Sequence, residues 1–120
     1  MAVKDLIITK KCLFICNGGS CLKKNAEEVT QSVRKQLKLF DLDDVYHTVR
    51  TKCIGRCDDA PVVLVAPDNI WLKEVTADKC SSILHEIESN KIENSIHYLF
   101  KMGESQIKSN SIPTKYRKIN

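Results

Sequence analysis

Residues 7–40 read IITKKCLFICNGGSCLKKNAEEVTQSVRKQLKLF, and the pattern of this stretch changes in its middle. Residues 7–16 are an apolar run suited to a strand, and Asn17-Gly18-Gly19 breaks it with strong turn chemistry. From Asn25 onward Ala26, Val29, Val33, Leu37 and Phe40 recur at helical spacing. Asn25, with Glu28 three residues later, has the form of a capping box. The next patterned stretch, VYHTVRT at residues 45–51, alternates: Val45, His47 and Val49 face one way, Tyr46, Thr48 and Arg50 the other. Strand, helix, strand in this order predicts one parallel crossover.

Further along, residues 53–61 hold Gly55, two adjacent aspartates and Pro61, and read as a loop. Residues 62–66 (VVLVA) and 70–75 (IWLKEV) read as strands joined by the turn Pro67-Asp68-Asn69, a hairpin. Thr76 then caps a second helix, on which Cys80, Ile83, Leu84 and Ile87 make an apolar stripe. Ile92, Ile96, Leu99 and Phe100 fit one side of a short amphipathic helix, and beyond Met102 the pattern fades. The expected fold is α/β and thioredoxin-like: a four-stranded mixed sheet covered by two main helices, with a C-terminal extension. Residues 1–90 are expected to form the domain, and residues 91–120 the short helix and a basic tail.

The chain has 120 residues and a formal charge of +4. Residues 1–100 hold 14 Lys or Arg and 14 Asp or Glu, so the excess comes from Lys101, Lys108, Lys115, Arg117 and Lys118 against Glu104. The tail carries neither interleaved aromatics nor a base-reading motif, so nucleic acid is not an expected partner. No apolar run is long enough to span a bilayer. Lys4, Asp5, Lys10 and Lys11 interrupt the apolar residues near the N-terminus, which is not a signal-peptide layout. A cytoplasmic protein is expected, and in that reducing compartment six cysteines suit metal ligation better than disulfides.

Their spacing points to one site. Cys16 and Cys21 are separated by Asn-Gly-Gly-Ser, whose glycines let both sulfurs turn toward one metal. Cys53 and Cys57 are separated by Ile-Gly-Arg. Each pair follows a predicted strand end, and parallel neighbouring strands bring such loops together. Two thiolates on each of two irons are what a [2Fe–2S] rhomb requires. The same four thiolates could hold a structural zinc, although zinc commonly uses tighter C-x2-C pairs. Thiol redox chemistry of the thioredoxin kind would want C-x-x-C at the start of the first helix, and none is there.

The pattern C-x4-C in FICNGGSCLKK, followed by C-x3-C in KCIGRCDDAPVVLVAPDNIWLKEV, resembles the thioredoxin-like [2Fe–2S] ferredoxins. A similar unit occurs in the small flavoprotein-associated subunit of respiratory NADH dehydrogenase. The resemblance runs from about Ile8 to Ile87, and Cys53 to Val63 is its most specific piece. It implies one [2Fe–2S] cluster per chain, with Cys16 and Cys21 on one iron and Cys53 and Cys57 on the other. It further implies a one-electron carrier rather than an enzyme, exchanging electrons with redox protein partners, and a homodimer. Alternatives are an electron-relay subunit of a larger oxidoreductase, or a non-redox zinc-binding interaction module.

Other residues read as structure. Cys12, four residues before Cys16 on an extended strand, and Cys80, in a helical stripe, are expected to be packed thiols. His47, His85 and His97 are scattered, and Asp58 and Asp59 suit a solvated loop. Trp71 either shields the sheet or marks a partner surface. Lys10, Lys11, Lys23, Lys24, Lys52 and Arg56 are expected to crowd the cluster end, which favours a partner that is acidic where it docks.

Overall fold

A computed structural model describes residue 5 and residues 7–103 of the chain; the side chain of Cys57 and the basic tail from residue 104 lie outside the described residues. The elements in order are β1 (Lys11–Cys16), α1 (Gly19–Lys23), α2 (Ala26–Leu39), β2 (Tyr46–Thr51), β3 (Val63–Ala66), β4 (Ile70–Leu72), α3 (Cys80–Glu88) and β5 (Tyr98–Lys101). They build a mixed sheet of order β2-β1-β3-β4-β5. β1 and β2 are parallel, with Cys16 opposite Thr51, and the remaining neighbours are antiparallel. The expected crossover and hairpin are both present.

The sheet has five strands rather than four. Residues 92–100 do not form the expected short helix: Ile92–Asn94 make one 3-10 turn, and Tyr98–Lys101 pair with β4 as β5. Helical spacing would put Ile96 beside Ile92, Leu99 and Phe100, yet Ile96 is 82% exposed while Ile92 is buried. Pairing satisfies the backbone groups along the outer edge of β4, and that outweighs a weak local period.

β1 begins at Lys11 rather than Ile7. The carboxylate of Asp5 accepts the Ile7 N–H at 3.0 Å, and the Thr9 hydroxyl donates to the Asp5 carbonyl at 2.9 Å, which turns the chain before the strand. Neither expected cap forms through its side chain. Asn25 sits at φ 68° because it ends α1 as well as opening α2: its N–H bonds the Leu22 carbonyl, and its own carbonyl accepts from Val29. The Thr76 hydroxyl instead bonds the Asp78 carboxylate at 2.6 Å, ahead of a 3-10 turn that leads into α3.

Both long helices cover one face of the sheet. Leu13, Ile15, Val63, Val65, Ile70 and Leu72 meet Val29, Val33 and Leu37 of α2, and Ile83, Leu84 and Ile87 of α3. Polar side chains of β2 on this face tie it to the helices. Tyr46 hydrogen-bonds Glu88, Arg34 donates to Thr48 at 2.9 Å, and Arg50 forms a two-point pair with Glu27. The opposite face presents Cys12, Phe14, His47, Val49, Leu64, Ala66, Trp71 and Phe100, all half-buried. No described helix lays its apolar stripe on that face. Among the described residues, no helix is long and apolar enough to cross a membrane.

Candidate metal centre

Parallel pairing of β1 and β2 delivers two loops to one end of the sheet. Cys16 is the last residue of β1; its N–H bonds the Val62 carbonyl at 3.0 Å, and its thiol lies 3.7 Å from the Lys52 carbonyl. Asn17 continues the ladder by donating to the Thr51 carbonyl at 2.8 Å, and its side chain donates to the Ile15 carbonyl at 3.0 Å. The chain then enters α1, where the Leu22 N–H bonds the Gly18 carbonyl, and Cys21 is buried on this turn of helix. A separate five-residue helix carrying Cys21 was not expected; Gly18-Gly19 reads as a turn and hides it.

Gly18 fixes how closely the two loops meet. A Cβ built there would lie 2.6 Å from the Cα of Cys53 and 2.7 Å from its Cβ. Only a residue without a side chain permits this approach. The contact brings Cys53 directly against the loop between Cys16 and Cys21. Gly55 adopts φ 95°, which glycine takes without strain, and the loop then tightens into a 3-10 turn at Cys57–Asp59. The loop is held below by Glu74 N–H to the Asp59 carbonyl and by Val75 N–H to the Pro61 carbonyl, each 2.9 Å.

Burial divides the ligand candidates. Cys16 and Cys21 belong to a buried group with Ala26, Ala60 and Val62, against which Ile54 and Trp71 pack. Cys53 is exposed. Among the described side chains, Cys16 and Cys21 share this buried group and Cys53 lies against Gly18 in the loop between them, while the Cys57 side chain lies outside the described residues. Among the described residues, no three Cys, His, Asp or Glu side chains form a group suited to one metal ion. A binuclear iron–sulfur centre asks for two thiolates at each iron. The four-cysteine donor set and the glycine-dependent closeness of the loops fit that group.

Asp59 is not in a solvated loop. It is buried, and Arg56 reaches it through Nε at 2.9 Å and through a terminal guanidinium nitrogen at 2.7 Å. Arg56 is therefore committed to bracing the second ligand loop. Lys11 opens β1 at its far end, about 17 Å from Cys16 at the usual rise per residue, and Lys10 precedes it. There they pair with Glu88 and Asp68. Lys23, Lys24 and Lys52 remain as exposed cations beside the ligand loops.

Burial raises the pKa of both remaining cysteines. Cys80 lies against the Thr76 carbonyl at 3.5 Å and the Val29 carbonyl at 3.9 Å, a packed thiol. Cys12 sits toward the start of β1, away from the loops. His97 is structural: its Nδ1 is 3.0 Å from the Lys73 carbonyl, so that nitrogen carries the proton.

Residues 7–88 match the family model of the thioredoxin-like [2Fe-2S] ferredoxins. The chain belongs to that family. A protein of Priestia megaterium assigned as a 2Fe-2S ferredoxin is 46% identical over 78 residues, covering 65% of this chain and 61% of the relative. The chain thus matches less than two thirds of that relative's length. A 2Fe-2S ferredoxin of Clostridium pasteurianum is 32% identical over 97 residues, covering 74% of this chain and 91% of the relative. A solved thioredoxin-like [2Fe-2S] ferredoxin from Aquifex aeolicus superposes with a TM-score of 0.71 at 22% identity, covering 80% of this chain and 96% of that one. At that identity the superposition speaks for the fold. The cofactor of these thioredoxin-like ferredoxins is one [2Fe–2S] cluster per chain, and ferredoxins carry electrons rather than convert a substrate.

Proposed function

We propose that Cys16, Cys21, Cys53 and Cys57 hold the [2Fe–2S] cluster, the first pair on one iron and the second pair on the other. The chain then passes single electrons between redox protein partners. The contact of Gly18 with Cys53 carries this reading, because it presses the two ligand loops together at the one place where all four cysteines of the spacing pattern are carried. When bound, the cluster supplies a site that accepts and releases one electron.

The residues of the chain divide the remaining work. Cys16 and Cys21, with Ala60, Val62, Ile54 and Trp71 around them, form an apolar wall that keeps water from one side of the centre. Cys53 is exposed and gives the centre its route to a partner. Lys23, Lys24 and Lys52 surround that route, and a partner acidic at its docking surface suits them. The half-buried, largely apolar face of the sheet suits a second copy of the chain, as a homodimer. The free thiols of Cys12 and Cys80 suit a reducing compartment, and we place the protein in the cytoplasm.

The test is a set of six single Cys→Ala variants, purified without oxygen and followed by visible absorption, iron and sulfide content, and EPR after dithionite. Loss of the native spectrum is expected at Cys16, Cys21, Cys53 and Cys57, and its retention at Cys12 and Cys80. An unchanged spectrum in two of the first four would overturn the assignment.

A further inference from the structure

The sequence holds one tryptophan, Trp71, and the fold does not use its ring N–H. The ring lies on β4, on the face away from the helices, stacked on Phe100 with centroids 5.4 Å apart. The stack and the strand register hold the indole in place from one side. Trp71 also packs against the buried group that contains Cys16, Cys21, Ala60 and Val62. Its Nε1 is buried and has no hydrogen-bond partner among the described residues.

Buried polar groups are nearly always paired, so an orphaned donor in an ordered stack calls for an acceptor that the described chain does not supply. Leu64 and Phe100, which pair with Trp71 across the strands, and Val62, in the buried group it packs on, have no side-chain acceptor atom. An iron–sulfur centre would bring such acceptors, in its thiolate and sulfide sulfurs.

We propose that the Trp71 indole N–H donates a hydrogen bond to sulfur on the Cys16 side of the [2Fe–2S] cluster and raises its reduction potential. This rests on the ligand assignment above. The direction follows from charge. Reduction adds one electron, taken from the redox partner, and makes the sulfurs more negative. A fixed donor stabilises that state more than the oxidised one, and its proton stays on nitrogen throughout. The residue acts as a tuning donor and holds none of the metal.

The single tryptophan makes the test selective. Protein carrying ¹⁵N at the indole nitrogen is reduced and measured by pulsed EPR, and a ¹⁵N coupling to the cluster spin is expected in the unmutated chain. Biosynthetic replacement of tryptophan by its benzothiophene analogue keeps the ring shape and the Phe100 stack but removes the N–H. The cluster spectrum should persist while the potential moves to a more negative value, and Trp71→Phe should move it in the same direction. An intact, reducible cluster with no ¹⁵N coupling and an unshifted potential would overturn the proposal. So would an analogue that weakens self-association while leaving the potential unchanged, because the N–H would then face a second copy. Retention of the spectrum in Cys16→Ala would instead remove the ligand assignment, so the two failures are distinguishable.

Discussion

At the scale of single residues, Gly18 sets how closely the two ligand loops approach, because a Cβ there would lie 2.6 Å from the Cα of Cys53. The four cysteines of the proposed site can be picked out because their gaps and intervening glycines suit two metal-binding loops. What Gly18 does cannot be read that way. In sequence it is a turn former, whereas in the structure it is where the backbone of one loop meets the Cα of Cys53. Gly18→Ala is therefore expected to push the loops apart. The obstacle is backbone rather than a flexible side-chain tip, and overpacking of this kind costs about 1–3 kcal/mol. Denaturant unfolding and cluster content after anaerobic purification should both fall; equal values for the variant and the parent would show that the contact does not set the loop spacing. Asp59 misled for the opposite reason. A pair of aspartates beside a proline reads as solvated, and only the backbone bonds from Glu74 and Val75 sink the loop far enough to bury Asp59 against Arg56.

Among the elements, those with a strong period and a dedicated partner were legible. α3 buries the stripe its sequence shows, α2 buries Ala26, Val29, Val33 and Leu37 of its stripe and ends before the exposed Phe40, and β1 with β2 pair in parallel as the crossover demands. β5 was missed because four apolar residues at helical spacing are a weaker determinant than an unpaired strand beside them. The join between β2 and α3 is also electrostatic, and it carries a pH dependence. The Tyr46 hydroxyl, and then Lys10, hold the Glu88 carboxyl below its ordinary pKa, while burial and Glu88 push the Tyr46 phenol up and keep it a donor. A carboxyl with a lowered folded pKa stabilises the fold above its unfolded value, about 4.3, and loses that contribution as pH falls through the folded value. Glu27, held at about 2 mainly by Arg50, works in the same direction across the α2–β2 contact. Glu88→Gln should therefore be less stable than the parent at neutral pH, with the difference shrinking as the pH drops below about 4.3. Urea unfolding midpoints across that range decide it, and a difference independent of pH would mean the carboxylate charge is not what joins these elements.

For the whole molecule, the two faces of the sheet are unequal. One carries both long helices and the larger core, while the other presents Phe14, Val49, Leu64, Trp71 and Phe100 at partial exposure with no charged residue among them. Alternation along the expected strands assigns Phe14, Val49, Leu64 and Trp71 to a face from sequence alone, whereas Phe100 joins them only through β5, and which face the helices choose depends on packing that the sequence pattern leaves open. Among the described residues of this face, Cys12 and His47 are the titratable side chains beside these apolar ones, which gives an acidic or basic partner little to pair with. A second copy would meet it with the same flat apolar set, as a two-fold interface requires. The expected state in solution is therefore a homodimer joined through this face, with the exposed Cys53 and the lysines beside it turned to redox partners. Size exclusion with light scattering on the cluster-loaded protein should give twice the chain mass of 13.6 kDa. Leu64→Glu, which places a charge in the middle of the face, should return the mass to that of one chain without loss of the cluster spectrum. Lys23→Glu, at the opposite kind of surface, should leave the dimer intact. A single-chain mass for the parent across a wide range of concentration would rule the dimer out. A dimer that survives Leu64→Glu would move the interface to β2 or β5, the outermost strands of the described sheet, where strand pairing can also join two sheets.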